Sequence, residues 1–171
     1  MHPGVKRLLD RERLRRQGLL LSRSAWVQVP SPTSVRFGSN CRVARGSLLV
    51  ATDNQRGRGR IVLGHDVLVG EYANIRATGC EIAIGSDVLI GQFVSLIGAN
   101  HALDGEGLPT EDDDLNGPAG ITVEDRCWIG VGAVLLPGVV LQYGTVVGAG
   151  AVVTKSWPAR SRLVGVPASP L

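Results

Sequence analysis

A six-residue repeat is the feature that most constrains the fold of this chain. In its longest unbroken run an aliphatic residue recurs at every sixth position, at Val123, Ile129, Leu135, Leu141, Val147 and Val153. Earlier units of the same kind begin at Phe37, Val43, Leu49, Leu63, Val69, Ile75, Ile84, Ile90 and Leu96. Repetition at a fixed period indicates a stack of equivalent units, because each unit buries its apolar residues against its neighbours.

Each repeat predicts a short strand followed by a turn. The leading aliphatic residue and the residue four positions later are expected to point inward, and the second is small or apolar, as at Cys127, Ala133 and Thr145. Three strands and three turns, about 18 residues, would close a triangular coil, and coils would stack at about 4.8 Å, the spacing of hydrogen-bonded strands. The sequence therefore predicts an all-β fold, a parallel β-helix of about five coils over residues 37–168.

The repeat is interrupted at three places. Two extra residues lie around residues 56–60, and three extra residues lie around residues 78–80. Residues 98–120 leave room for a loop of about 20 residues,. Because functional residues often lie on long loops of rigid scaffolds, we expect a functional site at this third interruption.

Composition and cysteine usage restrict the class of protein further. Gly accounts for 23 of the 171 residues and aromatic residues for 4%, which suits a core of small aliphatic side chains. No apolar run approaches the roughly 20 residues that span a bilayer, and residues 19–21 are too few for a signal peptide. Cys41, Cys80 and Cys127 form no CxxC pair, so we expect buried thiols and a reducing, cytoplasmic location,.

The N-terminal segment, residues 1–36, is predicted to be basic and partly helical, with a helix over residues 4–17 that ends at Gly18. Residues 1–23 carry a net charge of +5, from seven basic and two acidic residues. The rest of the chain carries eleven basic and thirteen acidic residues, which argues against nucleic-acid binding,. The helix is expected either to be solvated or packed in a trimer, or to make weak contact with an anionic membrane surface.

His101 is the first candidate for chemistry. It lies where the repeat gives way to the long loop, whereas His2 is terminal and His65 lies in a turn position. A neutral imidazole suits a general base near neutral pH, so His101 is either a catalytic base or a loop or capping residue. The acidic run at residues 111–114 is interpreted as a solvated loop tip, and no metal site is expected.

Four pieces of the C-terminal half resemble the hexapeptide-repeat acyltransferases: residues 121–130, 131–139, 147–155 and 164–168. Within that family the chain is most similar to the galactoside, maltose and polysaccharide O-acetyltransferase branch. The resemblance implies a left-handed parallel β-helix, a homotrimer and acetyl-CoA as the acyl donor.

The resemblance also implies roles for particular residues. His101 would be the general base that takes the proton of an acceptor hydroxyl during direct attack on the thioester. Val131, Ala149, Thr154 and Lys155 would bind the donor, the first three through their backbone and Lys155 through a phosphate of coenzyme A.

Three further residues are expected to contact the acceptor. Asn74 and Arg76 lie one coil before His101, where they would hydrogen-bond a sugar or form an ordinary turn. Trp128 would shape the substrate cleft, or pack on the loop or a neighbouring subunit.

The leading interpretation is an acetyl-CoA-dependent O-acetyltransferase that acts on a hydroxyl of a sugar or polysaccharide precursor. An amino-sugar N-acetyltransferase or an antibiotic acetyltransferase is the alternative on the same scaffold. Less favoured are a non-enzymatic scaffold and a zinc enzyme of the γ-type carbonic anhydrases. His65 and His101 are nominally two coils apart, but the extra residues at 78–80 should move them out of phase,.

Overall fold

The computed structural model describes residues 11–171, which form a parallel β-helix. Its strands, in chain order, are β1 (Leu20–Leu21), β2 (Trp26–Gln28), β3 (Val35–Phe37), β4 (Arg42–Val43), β5 (Leu48–Thr52), β6 (Arg60–Leu63), β7 (Leu68–Val69), β8 (Asn74–Thr78), β9 (Glu81–Ile84), β10 (Leu89–Ile90), β11 (Ser95–Ile97), β12 (His101–Leu103), β13 (Pro109–Asp113), β14 (Ile121–Val123), β15 (Trp128–Ile129), β16 (Val134–Leu135), β17 (Val140–Leu141), β18 (Val146–Val147), β19 (Val152–Val153), β20 (Arg162–Val164) and β21 (Ser169–Pro170). A short 3-10 helix lies at Pro32–Ser34.

Successive strands go to three sheets in turn, so the chain winds around one apolar interior. Sheet A has the order β1-β4-β7-β10-β15-β18-β20-β21, sheet B β2-β5-β8-β11-β16-β19, and sheet C β3-β6-β9-β14-β17. All neighbours in these sheets are parallel except β20 and β21, and β12 and β13 form a separate antiparallel hairpin. The predicted fold class is confirmed.

The β-helix begins earlier than the sequence predicted, so the boundary between residues 36 and 37 is wrong. β1 pairs with β4, β2 with β5 and β3 with β6, which makes residues 20–37 the first of about six coils rather than about five. The hexad signal was present, because Leu21, Ala25 and Val27 have the repeat spacing and are buried. The proline-containing segment at residues 30–32 then interrupts the six-residue spacing before β3.

A helical turn covers the N-terminal end of the apolar interior. Residues 11–16 are helical, and Gly18, at a φ of 106°, terminates this segment as predicted. Leu19 N donates to Leu14 O at 3.1 Å and Gly18 N to Arg15 O at 3.0 Å, a Schellman C-cap in which Leu14 and Leu19 are both buried,. The earlier part of the predicted helix, with His2, lies outside the described residues.

The interior is filled as the repeat predicted. Most of the leading aliphatic residues and of those four positions later are buried, among them Ile129, Ala133 and Leu135, each with 0% of its surface exposed. Cys127 is buried at its predicted position, and the buried Thr145 hydroxyl donates to Gln142 O at 2.7 Å. Between residues 11 and 171, no helix has the length and apolar character needed to cross a membrane.

All three interruptions of the repeat fall at one corner of the triangular coil, between sheets B and C, which we call the B–C corner. Residues 53–59 connect β5 to β6, residues 79–80 connect β8 to β9, and residues 98–120 connect β11 to β14. The strands that follow still pair in register, with Ile61 opposite Ile82 and Ile82 opposite Ile121. The extra residues therefore project outward instead of disturbing the stack.

Candidate active site

The long loop leaves the β-helix through a narrow base. Gly98 N donates to Arg76 O and Gly120 N donates to Gly98 O, both at 2.8 Å, so the coil closes beneath the loop. Above this base β12 and β13 form a hairpin in which His101 is opposite Asp113. His101 is exposed. An exposed imidazole held next to a rigid coil can reach a bound acceptor, as a general base requires.

A second segment braces this hairpin from two coils below. Asn54 Nδ2 donates to Asp113 Oδ2 at 2.7 Å, and Arg56 donates from Nη1 to Gly117 O at 2.9 Å and from Nη2 to Asp114 O. Because Asp113 is opposite His101, the brace holds β13, the strand paired with the one that carries the candidate base. Asn54 and Arg56 were not predicted as site residues, although the two extra residues in their segment were the available signal.

Part of the acidic run serves to build the loop. Asp114 Oδ1 accepts from Gly117 N at 2.8 Å and from Asn116 N at 3.1 Å, and Asp113 is held by Asn54. Among the side chains that the structure describes, no group of three His, Cys, Asp or Glu residues is arranged to hold a metal ion.

His65 lies at a different corner from His101, between sheets C and A. Its Nδ1 accepts from Ser39 N at 3.0 Å and lies 2.9 Å from Ser39 Oγ. Because Nδ1 accepts from a backbone N–H, it is the unprotonated nitrogen of the ring. The hydrogen bond links the first coil to the second. The two imidazoles do not form a pair that could bind zinc.

Asn74 and Arg76 lie on β8, beside the strand that leads to His101. In the parallel pairing of β8 with β11, Asn74 is opposite Ser95 and Arg76 is opposite Ile97. Asn74 Oδ1 accepts from Arg76 Nε at 3.0 Å, which orients the two side chains together. They offer hydrogen-bonding groups on the face of the β-helix that leads to His101.

The four residues expected to bind the donor lie at two corners. Val131 and Ala149 are exposed at the corner between sheets A and B, where Gly150 N donates to Val131 O at 2.8 Å. Thr154 and Lys155 follow β19 at the B–C corner, and the Lys155 ammonium lies 4.9 Å from the centroid of the Trp157 ring. The width of sheet B separates the two pairs, and the second pair shares its corner with the loop that carries His101.

Trp128 lies on sheet A and not on the face that leads to His101. Its side chain is exposed, and its strand neighbours are Leu89 and Val146. Leu68, Leu89 and Trp128 follow one another on adjacent strands and are all exposed, forming an apolar stripe that we call the sheet A stripe.

An aromatic pair flanks this stripe at the corner between sheets A and B. The rings of Tyr72 and Phe93 stack with their centroids 5.4 Å apart and an interplanar angle of 6°. Both residues have left-handed backbone conformations, with φ of 56° and 58°, and the equivalent positions in the two coils after Phe93 are Gly132 and Gly150. The same conformation recurs at turns of other coils, as at Arg126 and Arg160, so the exposed ring stacking and not the backbone distinguishes this pair, which the sequence did not predict.

The cysteines are unsuited to covalent catalysis. Burial raises the pKa of the thiols of Cys41, Cys80 and Cys127. Cys80 lies nearest the site, and its Sγ donates to Gly98 O at 3.3 Å at the base of the loop. A buried thiol with a raised pKa stays protonated and is a poor nucleophile.

A parallel β-helix with a histidine on one projecting loop defines the class of hexapeptide-repeat acyltransferases, and the comparisons with known proteins agree. No protein-family model matches the chain. WbbJ of Escherichia coli (strain K12), whose name assigns it to lipopolysaccharide biosynthesis as an O-acetyltransferase, is 32% identical over 142 residues, covering 79% of this chain and 69% of WbbJ. The chain belongs to the acetyltransferase family that includes WbbJ.

Two further comparisons bear on length and fold. A protein of Schizosaccharomyces pombe named as an acetyltransferase is 39% identical over 103 residues, covering 58% of this chain and 48% of its own length, so the chain spans about half of that relative. AntD, an N-acyltransferase of Bacillus cereus solved as a mutant with dTDP-4-amino-4,6-dideoxyglucose and coenzyme A, superimposes with a TM-score of 0.77 at 19% identity. That match covers 94% of this chain and 87% of AntD, and it shows a shared fold.

Proposed function

We propose that this protein is an acetyl-CoA-dependent O-acetyltransferase that acts on a hydroxyl of a sugar or polysaccharide precursor, with His101 as the general base. The observation that carries the proposal is the exposed His101 on a hairpin that Asn54 and Arg56 hold against the β-helix. The name of WbbJ supports both the acetyl group and the hydroxyl acceptor.

In this mechanism the imidazole of His101 accepts the proton of the acceptor hydroxyl while the oxygen attacks the carbonyl carbon of the thioester. The tetrahedral intermediate collapses with cleavage of the C–S bond. The departing thiolate takes the proton back from the imidazolium, giving an acetyl ester and free coenzyme A. Backbone N–H groups of the coils next to the loop are the donors available for the oxyanion. The reaction needs no covalent enzyme intermediate.

The donor would lie across sheet B, between the corner with Val131 and Ala149 and the corner with Thr154 and Lys155. A coenzyme A molecule is long enough to contact both corners, which accounts for a donor site divided between them. Lys155 would exchange its contact with Trp157 for a phosphate group, where a compact ammonium acts as a point charge,.

The proposed assembly is a homotrimer. The sheet A stripe and the stacked Tyr72 and Phe93 form an exposed apolar surface of the kind that marks protein interfaces,. A three-sided prism suits closed three-fold symmetry, in which Trp128 would reach the site of a neighbouring copy. Analytical ultracentrifugation tests this, because Leu89→Asp should convert trimers to monomers, whereas Leu171→Asp should not.

Two proposals concern the surroundings of the protein. Three free cysteines suit a reducing compartment such as the cytoplasm,. Residues 1–23 would add a weak, salt-sensitive contact with anionic membranes, although Arg15 already donates to Leu21 O from Nε at 2.9 Å and from Nη2 at 2.7 Å.

Amino-sugar N-acetylation is the second candidate, favoured by the dTDP-amino sugar bound to AntD. The deciding experiment measures coenzyme A release from acetyl-CoA with sugars, nucleotide sugars and amino sugars, followed by treatment of the product with hydroxylamine. O-acetylation predicts a product that hydroxylamine cleaves, and N-acetylation predicts a resistant amide. Neither turnover nor thermal stabilisation by acetyl-CoA is expected of a non-enzymatic scaffold.

A further inference from the structure

We propose that a pocket between the first two coils binds the diphosphate group of a sugar carrier, so that the acceptor is a phosphate-bearing sugar. This inference rests on the proposed function. The pocket, which we call the arginine pocket, has a volume of about 340 Å³ at the B–C corner. The lining residues that matter here are Ser31, Thr33, Arg36, Asp53, Arg58 and Arg60.

The charges of the arginine pocket are only partly compensated. Arg60 forms an ion pair with Glu81 at 3.1 Å, and Asp53 Oδ1 accepts from Gly59 N at 3.1 Å. Arg36 and Arg58 have no acidic group within 4.0 Å in the part of the chain that the structure describes. With the ion pair counted as neutral, two guanidinium groups therefore stand against one carboxylate.

The chemistry of the lining favours phosphate. A guanidinium presents paired N–H donors that match two phosphate oxygens, and such charge-assisted hydrogen bonds are stronger than neutral ones. The hydroxyls of Ser31 and Thr33 are hydrogen-bonded to each other at 2.5 Å, which leaves one hydroxyl proton to donate at the other side of the pocket. Two unpaired guanidinium groups suit a diphosphate better than a singly charged carboxylate.

The segment that lines the pocket also braces the candidate base. Within residues 53–60, Asp53, Arg58 and Arg60 line the pocket, whereas Asn54 and Arg56 bind the hairpin that carries His101. A diphosphate in the pocket would therefore bind the same short segment that positions the base.

The distance between pocket and base also suits a sugar diphosphate. On sheet B, β5 lies two strands from β11, which corresponds to about 10 Å,. The pocket and the hairpin of His101 lie at the same B–C corner, so a sugar attached to the diphosphate would extend along this corner toward His101.

Isothermal titration with inorganic pyrophosphate tests the pocket without any need for turnover. We expect binding that weakens with salt and becomes about tenfold weaker in Arg58→Gln and in Arg36→Gln, the effect of losing one charged hydrogen-bond partner. Arg58→Lys should recover part of the affinity. Arg42→Gln, at an exposed arginine on sheet A, is the matched control and should bind as the unchanged protein does. Absent binding, or equal binding in all variants, would overturn the proposal.

Two further arms separate the sources of the diphosphate and separate this proposal from the enzymatic one. Binding of dTDP tighter than pyrophosphate indicates a nucleotide carrier, and tighter binding of farnesyl diphosphate in detergent indicates a lipid carrier. In turnover assays Arg58→Gln should raise KM for a nucleotide sugar about tenfold and leave KM for the free sugar unchanged. An unchanged KM for the nucleotide sugar contradicts the pocket assignment. If none of the acceptors is acetylated but pyrophosphate binds as expected, only the proposed function is contradicted.

Discussion

Asn54 and Asp113 are 59 residues apart in sequence, yet Asn54 Nδ2 donates a hydrogen bond of 2.7 Å to the carboxylate of Asp113. The contact joins the outward bulge of the second coil to the strand opposite His101. The neighbouring guanidinium of Arg56 binds the backbone of the same loop at Gly117. Two irregularities of the repeat thus support each other, and together they determine where the imidazole lies.

Removal of this brace should slow turnover more than it weakens folding. Asn54→Ala is expected to lower kcat about tenfold, because one hydrogen bond to a charged group, worth about 1.5–3 kcal/mol at most, no longer orders the hairpin. KM for acetyl-CoA should be unchanged, since none of the four residues expected to bind the donor lies on the hairpin. Steady-state kinetics and a thermal melt measure both effects.

The matched control for this variant is Asn40→Ala. Asn40 Nδ2 makes a similar 3.0 Å hydrogen bond to Asp66 Oδ1, but at the corner between sheets C and A. The Asn40→Ala substitution should leave kcat unchanged. Equal kcat values for the two variants would contradict a positioning role for Asn54.

Two glycines in one turn should respond differently to the same substitution. Gly132 has a φ of 68° and open space where a Cβ would lie, so Gly132→Ala should cost only the backbone strain, about 1 kcal/mol,. A Cβ on Gly130 would lie 2.7 Å from Ala149 N in the next coil, so Gly130→Ala should separate two coils and cost about 3 kcal/mol,. Urea unfolding gives both values, and the reverse order would contradict this description of the stack.

Truncation of a core side chain should be costly despite the narrow interior. Leu135 has 0% of its surface exposed, and Leu135→Ala is expected to lower the free energy of unfolding by about 2–5 kcal/mol,. Leu171, 90% exposed, is the control, and Leu171→Ala should change it by less than about 0.5 kcal/mol,. Equal effects in urea unfolding would show that the hexad positions do not form the core.

The buried thiols predict a loss of stability at alkaline pH. Burial raises the pKa of Cys127, whereas an unfolded thiol titrates near 8.5,. Above that pH the unfolded chain loses a proton that the folded chain keeps, so stability falls as the pH rises from about 8.5 through the folded pKa. Below about 8.5 the contribution is constant. Under reducing conditions Cys127→Ala should therefore lose less stability between pH 7 and 10 than the unchanged protein. Equal losses would be evidence against a contribution of Cys127 to the alkaline loss.

The sequence was sufficient for the parts of the fold that follow from periodicity. Positions such as Ile129 and Cys127 were assigned to the interior because a six-residue repeat leaves them no alternative. The first coil was not predicted because residues 30–32 interrupt the six-residue repeat. The contact of Asn54 with Asp113 could not be predicted either, since it depends on where two irregular loops project from the same corner.

In the candidate site, too, some features follow from the six-residue repeat and others do not. The position of His101 at the exit of the loop followed from the break in the repeat, and Asn74 and Arg76 lie on β8, beside the strand that leads to His101. Val131 and Lys155 lie at different corners because the unbroken repeat between them spans one coil and one further side. The hydrogen bond from Arg56 to Gly117, by contrast, could not be derived from the repeat.

The most direct test of this account is the kcat for coenzyme A release by His101→Ala, measured with the best acceptor found for the unchanged protein. The loss of a general base predicts a kcat lower by about 10²- to 10⁴-fold. The affinity for acetyl-CoA, measured by thermal stabilisation, should stay within about twofold, and His65→Ala should keep its full rate. A His101→Ala variant that retains most of its kcat would contradict the assignment of His101 as the catalytic base.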